Sequence, residues 1–215
     1  FLMFLAACIW GAAFVAQSEA TKYIGPFTFN SIRFFLGALV LMPLIWVRKR
    51  AERVHNQVEN QTNQENQTKV EKQSKQMNRL DEETITGKKS ENWKAGIGCG
   101  IVLTAASLFQ QYGIEKTSVG KAGFITALYI IIVPFLGLAL GRKINKSLFI
   151  SLIAALTGLY LLCIKSGDIG SINFGDGMIL ICAFLFSCHI LLIGHYAPKT
   201  DGIIVSCIQF LVGFV

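Results

Sequence analysis

The chain has 215 residues, of which 53% are apolar and 15% charged, with a formal net charge of +7 and a mean hydropathy of +0.51. That balance excludes a disordered chain, a collagen-like chain and a disulfide-stapled secreted domain, and it leaves little room for a water-soluble enzyme. Residues 48–92 hold ten of the twenty Lys and Arg and eight of the thirteen Asp and Glu, so the remainder is close to continuous hydrophobicity.

Crossing a bilayer takes roughly 20 apolar residues per helix. In chain order, with about 17 as the practical minimum, seven runs appear, at about 1–17, 27–47, 95–113, 122–140, 148–165, 176–194 and, cut at Val215, 203–215. Helices are the expected form, because lipid offers no hydrogen bonds to a backbone and the alternating pattern of a membrane barrel is missing. The fold class is therefore an all-α, multi-pass integral membrane bundle. Short loops rich in Lys and Arg stay cytoplasmic. Eleven such residues (Arg48, Lys49, Arg50, Arg53, Lys88, Lys89, Lys94, Arg142, Lys143, Lys146, Lys199) fall on one side and four (Lys22, Lys116, Lys121, Lys165) on the other. Loop 48–92 is accordingly placed in the cytoplasm of a cell-membrane protein, with the first span running from inside to outside.

Phe1 and Val215 both lie inside apolar runs, so the chain reads as a fragment of a longer polypeptide. The first run also fits the apolar part of a secretory signal peptide with a small-residue cleavage site near Ala16 or Ser18, but a retained helix is the preferred reading. The segment from Arg48 to Asn92 is rich in Asn, Gln, Lys and Glu and nearly lacks aromatics, which predicts a mobile polar insertion. The glycosylation-like triplets at Asn60 and Asn66 have no meaning on the cytoplasmic face. Its near-cancelling charges argue against nucleic-acid binding, and Arg48 to Arg53 are expected against anionic head groups.

Sliding the chain by 176 residues lays the first span on the sixth and the second on the seventh. Ser31, Ile32, Arg33, Phe34 and Gly37 then fall on Cys207, Ile208, Gln209, Phe210 and Gly213, while Ala7, Ile9 and Trp10 fall on Ala183, Leu185 and Phe186. Five spans separate the copies, so the second is inverted relative to the first. Inverted repeats with a midplane substrate site are a recurring architecture of secondary transporters. The first repeat covers 1–165 and the truncated second covers 176–215.

Arg33 is the one full charge well inside a span, and such charges usually face a cavity or a partner. Asn30 and Gly37 share its helix face. The competing reading has Arg33 snorkelling to the surface about 9 Å away. Gln110 and Gln111 close the third span, and amides are costly in hydrocarbon unless paired; they point about 100° apart on a helix, so only one is expected to face protein, with the other interfacial. Trp10, Phe14 and Gln17 line one face of the first span and Tyr129 sits mid-span in the fourth, which suits an aromatic-lined organic site. His189 either titrates and couples transport to protons or simply bonds a neighbour. Gln209, which falls on Arg33 in the repeat, completes the substrate-site candidates.

Pro134 predicts a kink in the fourth span, with Gly137 and Gly141 giving a GxxxG contact beside it. Gly96, Gly98 and Gly100 allow tight packing of the third span. All six cysteines (Cys8, Cys99, Cys163, Cys182, Cys188, Cys207) lie in spans and read as reduced packing residues. Neither a metal nor a cofactor is expected, since Cys182, Cys188 and His189 lack a second ligand cluster. An enzyme is not expected, because HExxH, a nucleophile elbow, a phosphate-binding glycine loop and a clustered acidic pair are all absent from the sequence. An integral membrane enzyme or a channel is the alternative to a carrier.

The segments CIWGAAFVAQ, GPFTFNSIRFFLGALVLMPL, SLFQQYGIEKTSVGKAGFITALYIIIVPFLGLALGRK and GDGMILICAFLFSCHILLIGHYA resemble the EamA family of the drug/metabolite transporter superfamily. The resemblance covers nearly everything except residues 48–92, which depart from the short second loop usual in that family. It implies ten helices in two inverted five-helix repeats, of which about seven are present here, both ends cytoplasmic, and movement of small metabolites or drugs, often outward. It also implies an Arg at the position of Arg33. The partners expected are a small-molecule substrate and the lipid bilayer, with a homodimer left open and no nucleic acid.

Overall fold

A computed structural model describes residues 2–64, 71–141, 146–163 and 173–215. Among them the chain is helical: α1 (Leu2–Ala20), α2 (Pro26–Gln64), α3 (Glu71–Lys116), α4 (Val119–Ala127), α5 (Tyr129–Ala139), α6 (Lys146–Cys163), α7 (Phe174–Tyr196) and α8 (Gly202–Phe214), with a 3-10 turn at Ala197–Lys199 joining the last two. Pro26–Ala51, Lys89–Lys116, Val119–Ala139 and Phe174–Lys199 are long and apolar enough to cross a membrane, and Phe4–Ala20 and Gly202–Phe214 are shorter apolar helices. Each of the seven predicted apolar runs is thus helical where described.

Three local expectations are corrected. The polar segment is not an irregular loop over 48–64 and 71–92, because α2 runs on to Gln64 and α3 begins at Glu71. Extending a helix already nucleated in an apolar span adds one bond per residue, and Gln, Glu and Lys are good helix formers. Residues 65–70, including Asn66, lie outside the described residues, as do Arg142, Lys143 and Lys165. The fourth span breaks at Leu128, six residues before Pro134, where the Leu128 N–H turns back to the Ile125 carbonyl at 3.1 Å. Leu128 keeps helical dihedrals (φ −59, ψ −16) and its carbonyl still accepts from the Ile132 N–H at 3.1 Å, while Pro134 has no N–H to give the Ile130 carbonyl. Gly141 has φ +80 and ends α5 through a bond from its N–H to the Leu138 carbonyl at 2.9 Å, and a Cβ there would meet no described residue. That left-handed geometry is the reason a glycine stands there.

α3 is the central rod, flanked by α7 and α8, with α2 against α8, α4 and α5 against α7, and α6 outside α4. Glycine sets these distances. A Cβ on Gly96 would lie 2.5 Å from Ile208, and one on Gly100 would lie 2.8 Å from Val212, so α3 and α8 run parallel in close contact. A Cβ on Gly175 would come within 2.8 Å of the Gly113 carbonyl oxygen, and one on Gly113 within 3.0 Å of the Gly175 oxygen, which fixes the antiparallel crossing of α3 and α7. Without a hydrophobic drive between helices in lipid, such close backbone approach supplies the van der Waals attraction that holds a bundle. Gly98 faces open space instead.

The α2–α8 contact is reciprocal. Gly37 abuts the ring of Phe210, Gly213 abuts the ring of Phe34, and the two rings lie 5.9 Å apart. Under the 176-residue offset Phe34 corresponds to Phe210 and Gly37 to Gly213, so corresponding residues exchange places across the contact, as they do about a two-fold axis.

The interior mixes polar side chains with small apolar ones, and the exterior is strongly apolar, unlike that of a soluble domain. Asn30, Ser107, Gln110, Gln111, Thr126, Ser187, His189 and Gln209 are buried, while Ile9, Leu39, Val40, Ile101, Ile150 and Leu161 are exposed. The glycine contacts predict opposite signs at two positions. Gly175→Ala should lower the melting temperature, with overpacking against backbone costing about 1–3 kcal/mol. Gly98→Ala should leave it unchanged or raise it, by up to about 1 kcal/mol of helix propensity. Thermal unfolding of both variants in detergent or nanodiscs checks the pair.

Candidate functional site

The two ends of the bundle are tied by acidic residues at helix N-termini. At one end Asp176 closes the capping box of α7 with Asn173, whose side chain accepts from the Asp176 N–H at 3.0 Å. The same carboxylate pairs with Lys121 of α4 at 2.6 Å and accepts from the Thr117 hydroxyl. These side chains are only 12% and 6% exposed, so the pair is desolvated. At the other end Asp201 caps α8 by accepting from Ile203 N–H at 3.0 Å, pairs with Arg48 of α2 at 3.1 Å, and donates its own N–H to Asn92 Oδ1 at 2.9 Å. Arg48 is half exposed there. A helix N-terminus favours a carboxylate, and each aspartate uses that preference to join a later helix to an earlier one.

Between these ends lies a cavity of about 370 Å³ walled by α1, α2, α3, α7 and α8. Trp10, Ala13, Phe14 and Gln17 come from α1, Arg33, Phe34 and Gly37 from α2, Leu103, Ser107 and Gln110 from α3, Phe186 from α7 and Phe210 from α8. Most of the wall is hydrocarbon and aromatic ring, with four polar side chains converging on it, which is the composition of an organic-solute site.

Trp10, Gln17, Arg33 and Gln110, all read from the sequence, meet at this wall. Arg33 lies over the Phe34 ring at 5.2 Å and the Phe29 ring at 6.0 Å, and among the described residues no carboxylate lies within ion-pair distance of it. Gln110 donates to Thr126 of α4 at 3.5 Å. Gln17 Oε1 and Ser107 Oγ are buried without a hydrogen-bond partner.

The other candidates surround the cavity without lining it. Tyr129 packs edge-on against Trp10 at 6.2 Å. Asn30 is buried beneath Arg33, where its amide donates to the Ser107 carbonyl at 3.3 Å and its Oδ1 is unpartnered. Gln111 donates to the Gln17 carbonyl at 3.3 Å. Both Gln110 and Gln111 are buried, so neither is interfacial; the 100° between them aims one at the cavity and α4 and the other at α1. His189 Nε2 bonds Gln209 Oε1 at 3.0 Å, joining α7 to α8 away from the cavity. Among the described residues Cys99, Cys182 and Cys207 are buried thiols.

Ser107, Leu103, Phe34, Phe186 and Phe210 were not singled out as site residues. For the last three the signal was present: Phe186 corresponds to Trp10 and Phe210 to Phe34 under the repeat offset, so a residue facing the cavity from one copy marks its counterpart in the other. Ser107 stands one turn before Gln110 on the same face of α3.

The sequence model of the EamA-like transporter family matches residues 1–59 and 82–164. The chain belongs to this family. The unmatched stretch between those intervals falls inside the polar segment. A protein of Archaeoglobus fulgidus named an uncharacterized transporter is 24% identical over 212 residues, covering 98% of this chain and 54% of that protein. The chain thus spans about half the length of this relative. No solved structure matches it. This family belongs to the drug/metabolite transporter superfamily.

The buried Lys121–Asp176 tie and an exposed ion pair differ in strength. Asp176→Ala removes a helix cap, a hydroxyl bond and a buried ion pair together, and should cost about 3 kcal/mol or more. Glu19→Ala removes only the exposed Glu19–Lys22 pair and should change stability by no more than about 0.5 kcal/mol. Denaturation midpoints of the two variants measure the contrast.

Proposed function

We propose that the chain is the greater part of the solute-binding core of a carrier that exports small metabolites or drugs by alternating access. The cavity is its substrate site, and the observation that carries this reading is the convergence of Trp10, Gln17, Arg33, Ser107 and Gln110 on one partly open pocket walled by helices of both halves of the bundle. Buried polar atoms without partners are costly, and they persist where a ligand completes them. The reciprocal exchange of Phe34, Gly37, Phe210 and Gly213 across α2 and α8 supports two inverted repeats meeting at the cavity. Rocking one repeat against the other then opens the site to each side in turn.

The end carrying Arg48, Lys89, Lys94 and Lys199 is the cytoplasmic one in this reading, following the bias of positive charge. The buried Lys121–Asp176 tie closes the opposite end, while the half-exposed Arg48–Asp201 pair is the weaker of the two. A substrate leaving the cell therefore enters past Arg48 and departs once the Lys121–Asp176 contact parts.

Transport assays on the protein in proteoliposomes test this. A carrier gives saturable flux and counterflow. Arg33→Ala and Gln110→Leu, if folded by size-exclusion and thermal criteria, should each reduce flux at least about tenfold, equivalent to the loss of one charged or buried hydrogen bond. Non-saturating flux without counterflow, or wild-type flux in both variants, contradicts the proposal.

A further inference from the structure

The cavity carries one formal charge, and it is positive. Every described acidic side chain near the membrane core is occupied elsewhere: Asp176 by Lys121, Asp201 by Arg48, Glu19 by Lys22 and Glu91 by Lys94. Glu115 sits exposed near the end of α3. Arg33 is held over the faces of Phe29 and Phe34. A ring face satisfies the guanidinium plane but leaves its N–H edges without acceptors, and those edges form a fork that matches a carboxylate. Two buried polar side chains stand beside it. Gln17 is 7% exposed and Ser107 is 1% exposed, both line the cavity, and Gln17 Oε1 and Ser107 Oγ have no partner.

We infer that the site takes a small organic monocarboxylate with an apolar, ring-sized body: the carboxylate on Arg33 and the body against Trp10, Phe14 and Phe186. This deepens the carrier reading above and rests on it. The charge decides the sign. A cationic solute meets Arg33 as a like charge in a low-dielectric pocket, a neutral one leaves the guanidinium unpaired, and a carboxylate pairs it with two charge-assisted hydrogen bonds. The pocket, about 370 Å³ and partly open, has room for a ring-sized body.

Binding to the intact protein in nanodiscs, measured by calorimetry, tests the inference with four probes: 3-phenylpropionate, its neutral amide, 3-phenylpropylammonium and acetate. The expected result is that 3-phenylpropionate binds at least about tenfold tighter than the amide and than acetate, with the ammonium weakest. In Arg33→Gln the preference for acid over amide should fall to about one. An amide or ammonium that binds the wild-type protein as well as the acid overturns the inference, as does acetate binding as well as 3-phenylpropionate, or no binding of any probe at millimolar concentration. A preference that survives in Arg33→Gln also overturns it, because the anion then sits elsewhere. If Arg33→Gln does not fold, the wild-type ratios decide alone. Counterflow in proteoliposomes separates this from the carrier reading: acid-selective binding without counterflow keeps the site and sinks the carrier, whereas counterflow with no acid preference keeps the carrier and sinks the carboxylate.

Discussion

The close approach of α3 to α7 and α8 is the constraint on which the rest of the structure depends. Lipid tails are as apolar as leucine, so helices in a bilayer gain little by hiding hydrocarbon and associate through contact area and internal polar bonds. Gly96 and Gly100 against α8, and Gly113 against Gly175 of α7, let three helices touch at backbone distance. With α3 fixed in that way, Ser107 and Gln110 are aimed at the space enclosed by α1 and α2, and Phe186 and Phe210 are carried to its other wall. The cavity is what remains where the rods diverge from these crossings.

Polarity is arranged around that space with little waste. Most buried amides and hydroxyls join one helix to another: Asn30 to α3, Gln111 to α1, Gln110 to α4 and His189 to Gln209. The atoms left over are Asn30 Oδ1, Gln17 Oε1 and Ser107 Oγ, the last two on residues that line the cavity with Arg33. In hydrocarbon an unmatched charge is tolerated only beside water, a ring face or a counterion. Arg33 has the second of these from the protein, and on the proposed reading a solute supplies the third. The acidic residues are spent at the helix ends, where the caps and the cross-helix pairs need them.

Much of this was readable from residue order because a bilayer imposes simple rules. Apolar length marked the spans, and the period of 3.6 put Trp10, Phe14 and Gln17 on one face, where they line the cavity together. The solitary charge at Arg33 marked its second wall. What the sequence concealed depends on distances between helices. Nothing local says that Asn30 and Gln111 turn to bond neighbouring backbones, or that His189 and Gln209 find each other 20 residues apart. Ser107 is an ordinary small residue until α1 and α2 enclose it. The division at Leu128 is marked by no residue type, and the helical continuation of α2 and α3 into the polar segment is hidden because low hydrophobicity says nothing of helix propensity beside an existing nucleus.

Whether the bundle moves as a carrier must is decided most directly at the buried tie. Lys121→Cys and Asp176→Cys, in a background without the native cysteines, place one thiol on the N-terminus of α4 and one on that of α7, and a bifunctional methanethiosulfonate reagent can bridge them. Counterflow in proteoliposomes should stop when the bridge forms and return when a reductant removes it. Unchanged counterflow with the two helices held together would show that this end need not open, and alternating access through the cavity would be contradicted.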